Sequence, residues 1–189
     1  MAKQSLTKQS KITLAKGVQF DPIKHEYHYK GKQLSGITGV IAKSLRLNYD
    51  NIFTEEARET GVHVHRAIQT WIETGEPGSI HPGVWFVVDM FEDTDQKLYS
   101  EVLVSDFKQY ASSIDIIGEK PDGSLVLYDI KAGVFKREYV SWQLSVYKYL
   151  AEKAGKKVDS LVCISLKDSE FYPIFSKTAE KVEKLLYGG

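Results

Sequence analysis

Two hydrophobic periods divide this chain of 189 residues. Residues 54–73 carry apolar positions at helical spacing, with Thr54 as a cap, acidic residues in the first turn and Gly75-Glu76-Pro77-Gly78 as the stop. A second helix is predicted over about 82–95, its stripe formed by Val84, Trp85, Val88 and Phe91. Strand-like runs at 99–104, 111–117 and 124–130 then read as an antiparallel meander, the last two joined by a turn containing Pro121 and Asp122-Gly123. A helix over 138–154, with Trp142, Val146, Tyr149 and Leu150 on one stripe, leads to a buried strand at 160–166. An extended piece at 170–175 and a helix at 178–186 close the chain.

The first fifty residues are less regular. Residues 1–17 read as a polar arm, and Phe20-Asp21-Pro22 as a turn. Residues 25–35 form a predicted β-hairpin around Lys30-Gly31-Lys32, with Tyr27 and Tyr29 on one face. A short helix follows between Ser35 and Leu45, with Thr38 as its candidate cap. No repeat and no Gly/Ser/Pro-rich linker divides the chain, so one domain is expected over 1–189. It comprises a basic extension with the hairpin (1–50) and a core (51–189). The order helix, three strands, helix, strand predicts an α/β sandwich whose crossover helix covers one sheet face.

Composition narrows the class. With 42% apolar and 26% charged residues, disorder and collagen-like repetition are excluded. Cys163 has no partner cysteine in the chain, which excludes an internal disulfide or a multi-thiolate cluster. It reads as a small core residue, and a reducing, cytoplasmic setting is expected. No apolar run is long enough to span a membrane, and no secretory leader is evident. Net charge is zero, yet it sums to +6 over residues 1–50, −7 over 51–101 and +1 over 102–189. Solvated faces are one reading; a basic nucleic-acid surface beside an acidic, metal-binding region is the other.

The candidate chemistry sits in the meander. Asp115 and Asp129 fall near opposite positions on neighbouring antiparallel strands, so their carboxylates are expected to converge. Asp129 and Lys131 project to the same face, since strand side chains alternate. Two carboxylates beside an ammonium suit a Mg²⁺ or Mn²⁺ site for phosphodiester hydrolysis. An isolated Asp-x-Lys is common, however, and needs company.

That company is Gly61-x-x-x-His65 in the long helix, Glu101 in the preceding strand, and Gln143-x-x-x-Tyr147 in the following helix. In this order and spacing, from Gly61 to Tyr147, the fragments resemble the RecB-like, Cas4-like branch of the PD-(D/E)XK nuclease superfamily. The stretch from Phe20-Asp21-Pro22 through His25-x-Tyr27, Gly31 and Ser35-Gly36-Ile37-Thr38 is similar to the leader of small phage-type exonucleases of that branch, including relatives of the mitochondrial genome-maintenance exonuclease. The resemblance implies a restriction-endonuclease-like core, a central mixed β-sheet flanked by helices. It implies His65, Asp115, Asp129 and the Ile130 main-chain carbonyl as metal ligands and Lys131 as the catalytic lysine. Glu101 would assist the metal, and Gln143 and Tyr147 would orient the lysine or contact the scissile strand. A histidine ligand favours Mn²⁺ alongside Mg²⁺.

His63, two residues from His65, points to another side of the helix. A zinc cluster of His25, His28, His63 and His81 fits no usual ligand spacing. The branch's iron–sulfur cluster needs four cysteines and is not expected here, and no Walker motif marks a fused helicase. The function implied is a metal-dependent DNA exonuclease for end resection in recombination, repair or phage DNA processing. The expected partners are single-stranded or duplex DNA ends and, beyond them, a recombinase, a single-strand-binding protein or a separate helicase. A structure-selective endonuclease and a non-catalytic nucleic-acid-binding adaptor are the alternatives. Candidate phosphate contacts are Lys3, Lys8, Lys11, Lys16, Lys30, Lys32, Lys43 and Arg46, with Lys136, Arg137 and Lys148 as a second track. Phe20, Tyr27, Tyr29 and Tyr49 are candidate stacking platforms, although Tyr27 and Tyr29 equally suit packing of the hairpin.

Overall fold

The structure, a computed structural model, describes residues 12–46 and 55–188. The expected contacts of Lys3, Lys8, Lys11 and Tyr49, and the cap at Thr54, lie outside the described residues. The strands are β1 (Val18–Asp21), β2 (Glu26–Tyr29), β3 (Lys32–Gly36), β4 (Lys97–Ser105), β5 (Tyr110–Glu119), β6 (Leu125–Lys131), β7 (Val158–Ser165) and β8 (Glu170–Pro173). The helices are α1 (Ile37–Ser44), α2 (Glu55–Thr74), α3 (Pro82–Glu92), α4 (Arg137–Lys153) and α5 (Ala179–Tyr187).

The strands form one mixed sheet ordered β1-β2-β3-β5-β6-β7-β8, with β4 pairing β5 from its other edge. The meander β4-β5-β6 is antiparallel as its alternation predicts, and α4 carries the chain over to β7, parallel to β6. Helices cover both faces, so β6 is buried on both. Leu125 and Leu127 face the core made with α1, α4 and α5; Val126, Tyr128 and Ile130 face α2 and α3. No helix among the described residues is long and apolar enough to cross a membrane.

Three local features depart from the sequence reading. Phe20-Asp21 belongs to a strand, and the turn begins at Asp21, whose carboxylate accepts the backbone N–H groups of Ile23 (2.9 Å) and Lys24 (3.1 Å). α1 starts at Ile37 with Gly36 at its N-cap position and no side-chain cap, so Thr38 lies inside the helix. The third departure shapes the site. Tyr99 and Val102 on β4, and Ile114 and Ile117 on β5, all face the same core although each pair is three residues apart. Strict alternation would send them to opposite faces. The phase slips on both strands at one place, between the Ser100–Ile116 and Val102–Ile114 pairs, where Glu101 and Asp115 stand. Glu101 absorbs the slip with φ of 49°, a left-handed conformation uncommon for a non-glycine residue.

Candidate metal centre and its buried polar network

β5 shares its second edge between two strands. β3 pairs with it at Tyr110 and Ala111, and β6 from Ile116 to Glu119. β6 leaves β5 after Tyr128, so Asp115 and Asp129 stand at opposite strand positions across a split in the sheet, Asp115 turned toward His65 of α2 and Asp129 toward α4. The Asp115 carboxylate enters the split, its Oδ2 accepting the Ile130 N–H at 2.7 Å in place of a strand carbonyl.

α2 closes the split from one face. Val64 and Ile68 are buried against the sheet, and His65 beside them turns its ring toward the strands. Its Nε2 lies 3.3 Å from the Ile130 carbonyl and its Nδ1 3.7 Å from Asp115 Oδ1. In the tautomer with its proton on Nε2, the ring donates to that carbonyl and turns its Nδ1 lone pair to the carboxylate, the orientation that a hydrogen-bonded backbone carbonyl imposes on metal-ligating histidines. At Gly61, near the loop after β6, a Cβ would sit 3.8 Å from that of Ala132, an ordinary contact that does not demand glycine.

Ligand atoms of His65, Glu101 and Asp115 all fall within 4.8 Å of one another. The phase slip brings Glu101 into this group, and the Ser113 hydroxyl holds it, donating to Glu101 Oε2 at 2.6 Å. Burial, with the Asp115 charge, raises the Glu101 carboxyl above its ordinary range, against the Ser113 bond. One imidazole nitrogen and two mutually repelling carboxylates form a donor set suited to Mg²⁺ or Mn²⁺.

Asp129 occupies a different position. It is 1% exposed and projects with Lys131 toward α4. The ammonium donates to Asp129 Oδ1 at 3.0 Å and lies 2.8 Å from Oδ2 as an ion pair out of hydrogen-bond alignment. Oδ2 therefore has no aligned donor among the described residues. Burial pushes the Asp129 carboxyl up to about 6 despite Lys131, and Asp115 adds to the rise. For Lys131, the pull of Asp129 and Asp115 overcomes the opposing effect of burial and keeps the ammonium charged. A buried carboxylate whose ion pair leaves one oxygen without an aligned hydrogen bond, beside a second carboxylate, is an environment a divalent cation would suit.

Behind Lys131 runs a buried relay. Its ammonium donates to Gln143 Oε1 (3.3 Å), the Gln143 amide donates to the Tyr147 hydroxyl (3.0 Å), and that hydroxyl meets Ser112 Oγ (3.0 Å). The i, i+4 spacing of Gln143 and Tyr147 places both on one side of α4, and burial raises the Tyr147 hydroxyl well above its usual range. Ser112 and Ser113 were missed by sequence reasoning. Their signal was two adjacent hydroxyls inside a strand otherwise rich in apolar residues.

The remaining candidates do not join the donor set. His63 turns away from the centre to Ser79 Oγ (2.9 Å), and His81 caps α3 through the Gly83 N–H (3.1 Å). Cys163 is buried in the core, and burial pushes its thiol up to about 12. Tyr27 is buried and stacked on Phe20 with centroids 4.8 Å apart, and Tyr29 packs edge-on against Phe107, so both follow the packing reading. The second phosphate track does not hold together. Lys136 and Arg137 stand exposed at the start of α4, whereas Lys148, three turns on, donates to the Val158 carbonyl and pairs with Glu152.

No family model matches the chain, and no curated protein matches it significantly.

Proposed function

We propose that this chain is a metal-dependent DNA exonuclease that hydrolyses phosphodiester bonds at strand ends, the activity expected in end resection for recombination, repair or phage DNA processing. The observation that carries this reading is the meeting, at the split between β5 and β6, of the His65/Glu101/Asp115 donor set with the Asp129–Lys131 ion pair. His65, Glu101 and Asp115 would hold Mg²⁺ or Mn²⁺, which would supply charge neutralisation of a phosphate and activation of a water. The Ile130 carbonyl orients His65, and Ser113 orients Glu101. Lys131 donates a charge-assisted hydrogen bond to the phosphate oxygens as negative charge develops on them. Gln143 and Tyr147 hold that ammonium in position from behind rather than touching the strand. The exposed Lys16, Lys30, Lys32, Lys43 and Arg46 are candidate contacts for the DNA backbone, without a sequence-reading element.

The test is digestion of 5′- and 3′-labelled single- and double-stranded DNA with Mn²⁺ or with EDTA, using wild type and Lys131→Ala. The expected result is nucleotide release with Mn²⁺ only, reduced at least about 100-fold in the variant. Closed circular single-stranded DNA separates the exonuclease, which leaves it uncut, from an endonuclease of the same chemistry. DNA binding without metal-dependent cleavage would identify the adaptor instead.

A further inference from the structure

The edge of β5 that faces the split runs between two partner strands. Among the described residues, β3 pairs with it as far as Ala111 and β6 joins it at Ile116, so residues 112–115 have no strand beside them there. The Ser35 N–H of β3 donates to the Gln109 carbonyl at 2.8 Å, and Ala111 pairs with Gly36 on the same edge. Pairing of β5 with β4 is continuous from Ala111 to Ile114, ahead of the phase slip, so alternation holds over this stretch and the Ser113 N–H turns to the edge that Ala111 uses. Beyond the end of β3 it needs another acceptor. Tyr27 of β2 is placed to supply one. It is 4% exposed, its ring stacks on Phe20, and it packs in one cluster with Ala111 and with Leu103, the β4 partner of Ser113. Its hydroxyl reaches the Ser112 hydroxyl and the Ser113 N–H, with the Glu101 and Asp115 carboxylates nearby.

Each of these two serines serves a different arm of the centre. Ser112 ends the relay that leads through Tyr147 and Gln143 to Lys131, and the Ser113 hydroxyl holds Glu101. The donors fix the sense of the relay. An ammonium has only protons to give, so Gln143 turns its Oε1 to Lys131 and its amide protons to the Tyr147 oxygen. The Tyr147 proton then goes to Ser112 Oγ, and the Ser112 proton to the Tyr27 oxygen. That oxygen thereby receives the Ser112 O–H and the Ser113 N–H together. We infer that Tyr27 is a positioning residue of the centre: one phenolic oxygen of the N-terminal hairpin fixes Ser112, and through it the Lys131 ammonium, and fixes Ser113, and through it the Glu101 carboxylate. The inference rests on the nuclease reading for its effect on turnover and deepens it, because the hairpin then belongs to the site.

The full-length wild type, Tyr27→Phe, Ser112→Ala and the double variant test it, by calorimetric titration with Mn²⁺ and by turnover on end-labelled linear DNA. Tyr27→Phe keeps the ring and removes only the oxygen. It is expected to lower kcat about tenfold with KM within about twofold, and Ser112→Ala to do the same. The double variant is expected to fall no further than either single one, since both cut the same relay. Mn²⁺ affinity is expected to drop about threefold in Tyr27→Phe and to hold in Ser112→Ala, because the Ser113 main chain and not the Ser112 side chain leads to Glu101. Wild-type Mn²⁺ affinity or wild-type turnover in a folded Tyr27→Phe, or losses that multiply in the double variant, overturn the assignment. Should Tyr27→Phe fold poorly by circular dichroism, Ser112→Ala alone decides: reduced kcat at unchanged KM and Mn²⁺ affinity upholds the relay's anchor, and unchanged kcat overturns it. A wild type that binds Mn²⁺ but cleaves no DNA removes the nuclease, while a weaker Mn²⁺ affinity in Tyr27→Phe still upholds the positioning of Glu101. One that cleaves DNA while Tyr27→Phe matches it in both measurements does the reverse.

Discussion

Asp129 is buried with an oxygen that has no aligned donor among the described residues, and its ionisation links stability to pH. Its folded-state pKa is raised to about 6 by burial, so the stability this group contributes is fully present below its unfolded value and is lost as pH rises through about 6. In EDTA, wild type should therefore gain on Asp129→Asn by roughly 1 kcal/mol between pH 7.5 and pH 5, a shift of about 3 °C in relative Tm. Thermal melts of both proteins at the two pH values measure it; a difference independent of pH would show that Asp129 does not titrate in the fold. Lys131 makes the complementary case. Its ammonium is held by Asp129 and Gln143, and Lys131→Met keeps most of the side-chain volume while removing the charge. Cleavage should fall at least about 100-fold in Lys131→Met while Mn²⁺ binding, followed by calorimetry, persists. Loss of both together would indicate a damaged site rather than a missing ammonium.

At the scale of elements, the paired phase slip on β4 and β5 builds the metal centre. Glu101 holds the left-handed φ of 49°, which disfavours side chains branched at Cβ. Glu101→Gly and Glu101→Val both remove the carboxylate, so their difference isolates the backbone. The valine variant should be less stable by about 1–2 kcal/mol in urea denaturation, and equal midpoints would mean that the strand relaxes out of this conformation. Mn²⁺ should raise the Tm of wild type and of neither variant. The slip also explains what the sequence could and could not reveal. α2, α3, α4 and the meander were legible because long periodic segments mark themselves, and their ends moved by only a few residues. His65, Asp115, Asp129 and Lys131 were legible as candidates through chain order. Which carboxylate joins His65 and Asp115 was not, since the resemblance implied Asp129 as the ligand with Glu101 assisting, and the break in alternation that brings Glu101 to them comes from backbone geometry. Ser112 and Ser113 stayed hidden because a hydroxyl in a strand has no meaning until its partners across the sheet are known. β1 was hidden by Asp21, read as turn chemistry when it ends a strand and begins the turn at once.

Across the whole molecule, zero net charge conceals two surfaces. The basic residues described in the first segment, Lys16, Lys24, Lys30, Lys32, Lys43 and Arg46, are all exposed. Glu59, Glu73, Glu76, Asp89, Glu92, Asp93 and Asp95 are exposed as well, which makes most of the acidic excess a solvated face; Glu101, half-buried at the donor set, is the member that departs from it. The helices of both layers press on a sheet that splits at one point, and the split gathers an imidazole, carboxylates and an ammonium from α2, β4, β5 and β6. The measurement that tests the resulting account most directly is digestion of end-labelled linear DNA beside closed circular single-stranded DNA, with Mn²⁺ or EDTA, by wild type and Lys131→Ala. Release of nucleotides from linear DNA with Mn²⁺ alone, an uncut circle and an inert but folded Lys131→Ala are the predicted results. Absence of metal-dependent cleavage on every substrate, or full activity in the folded variant, would contradict it.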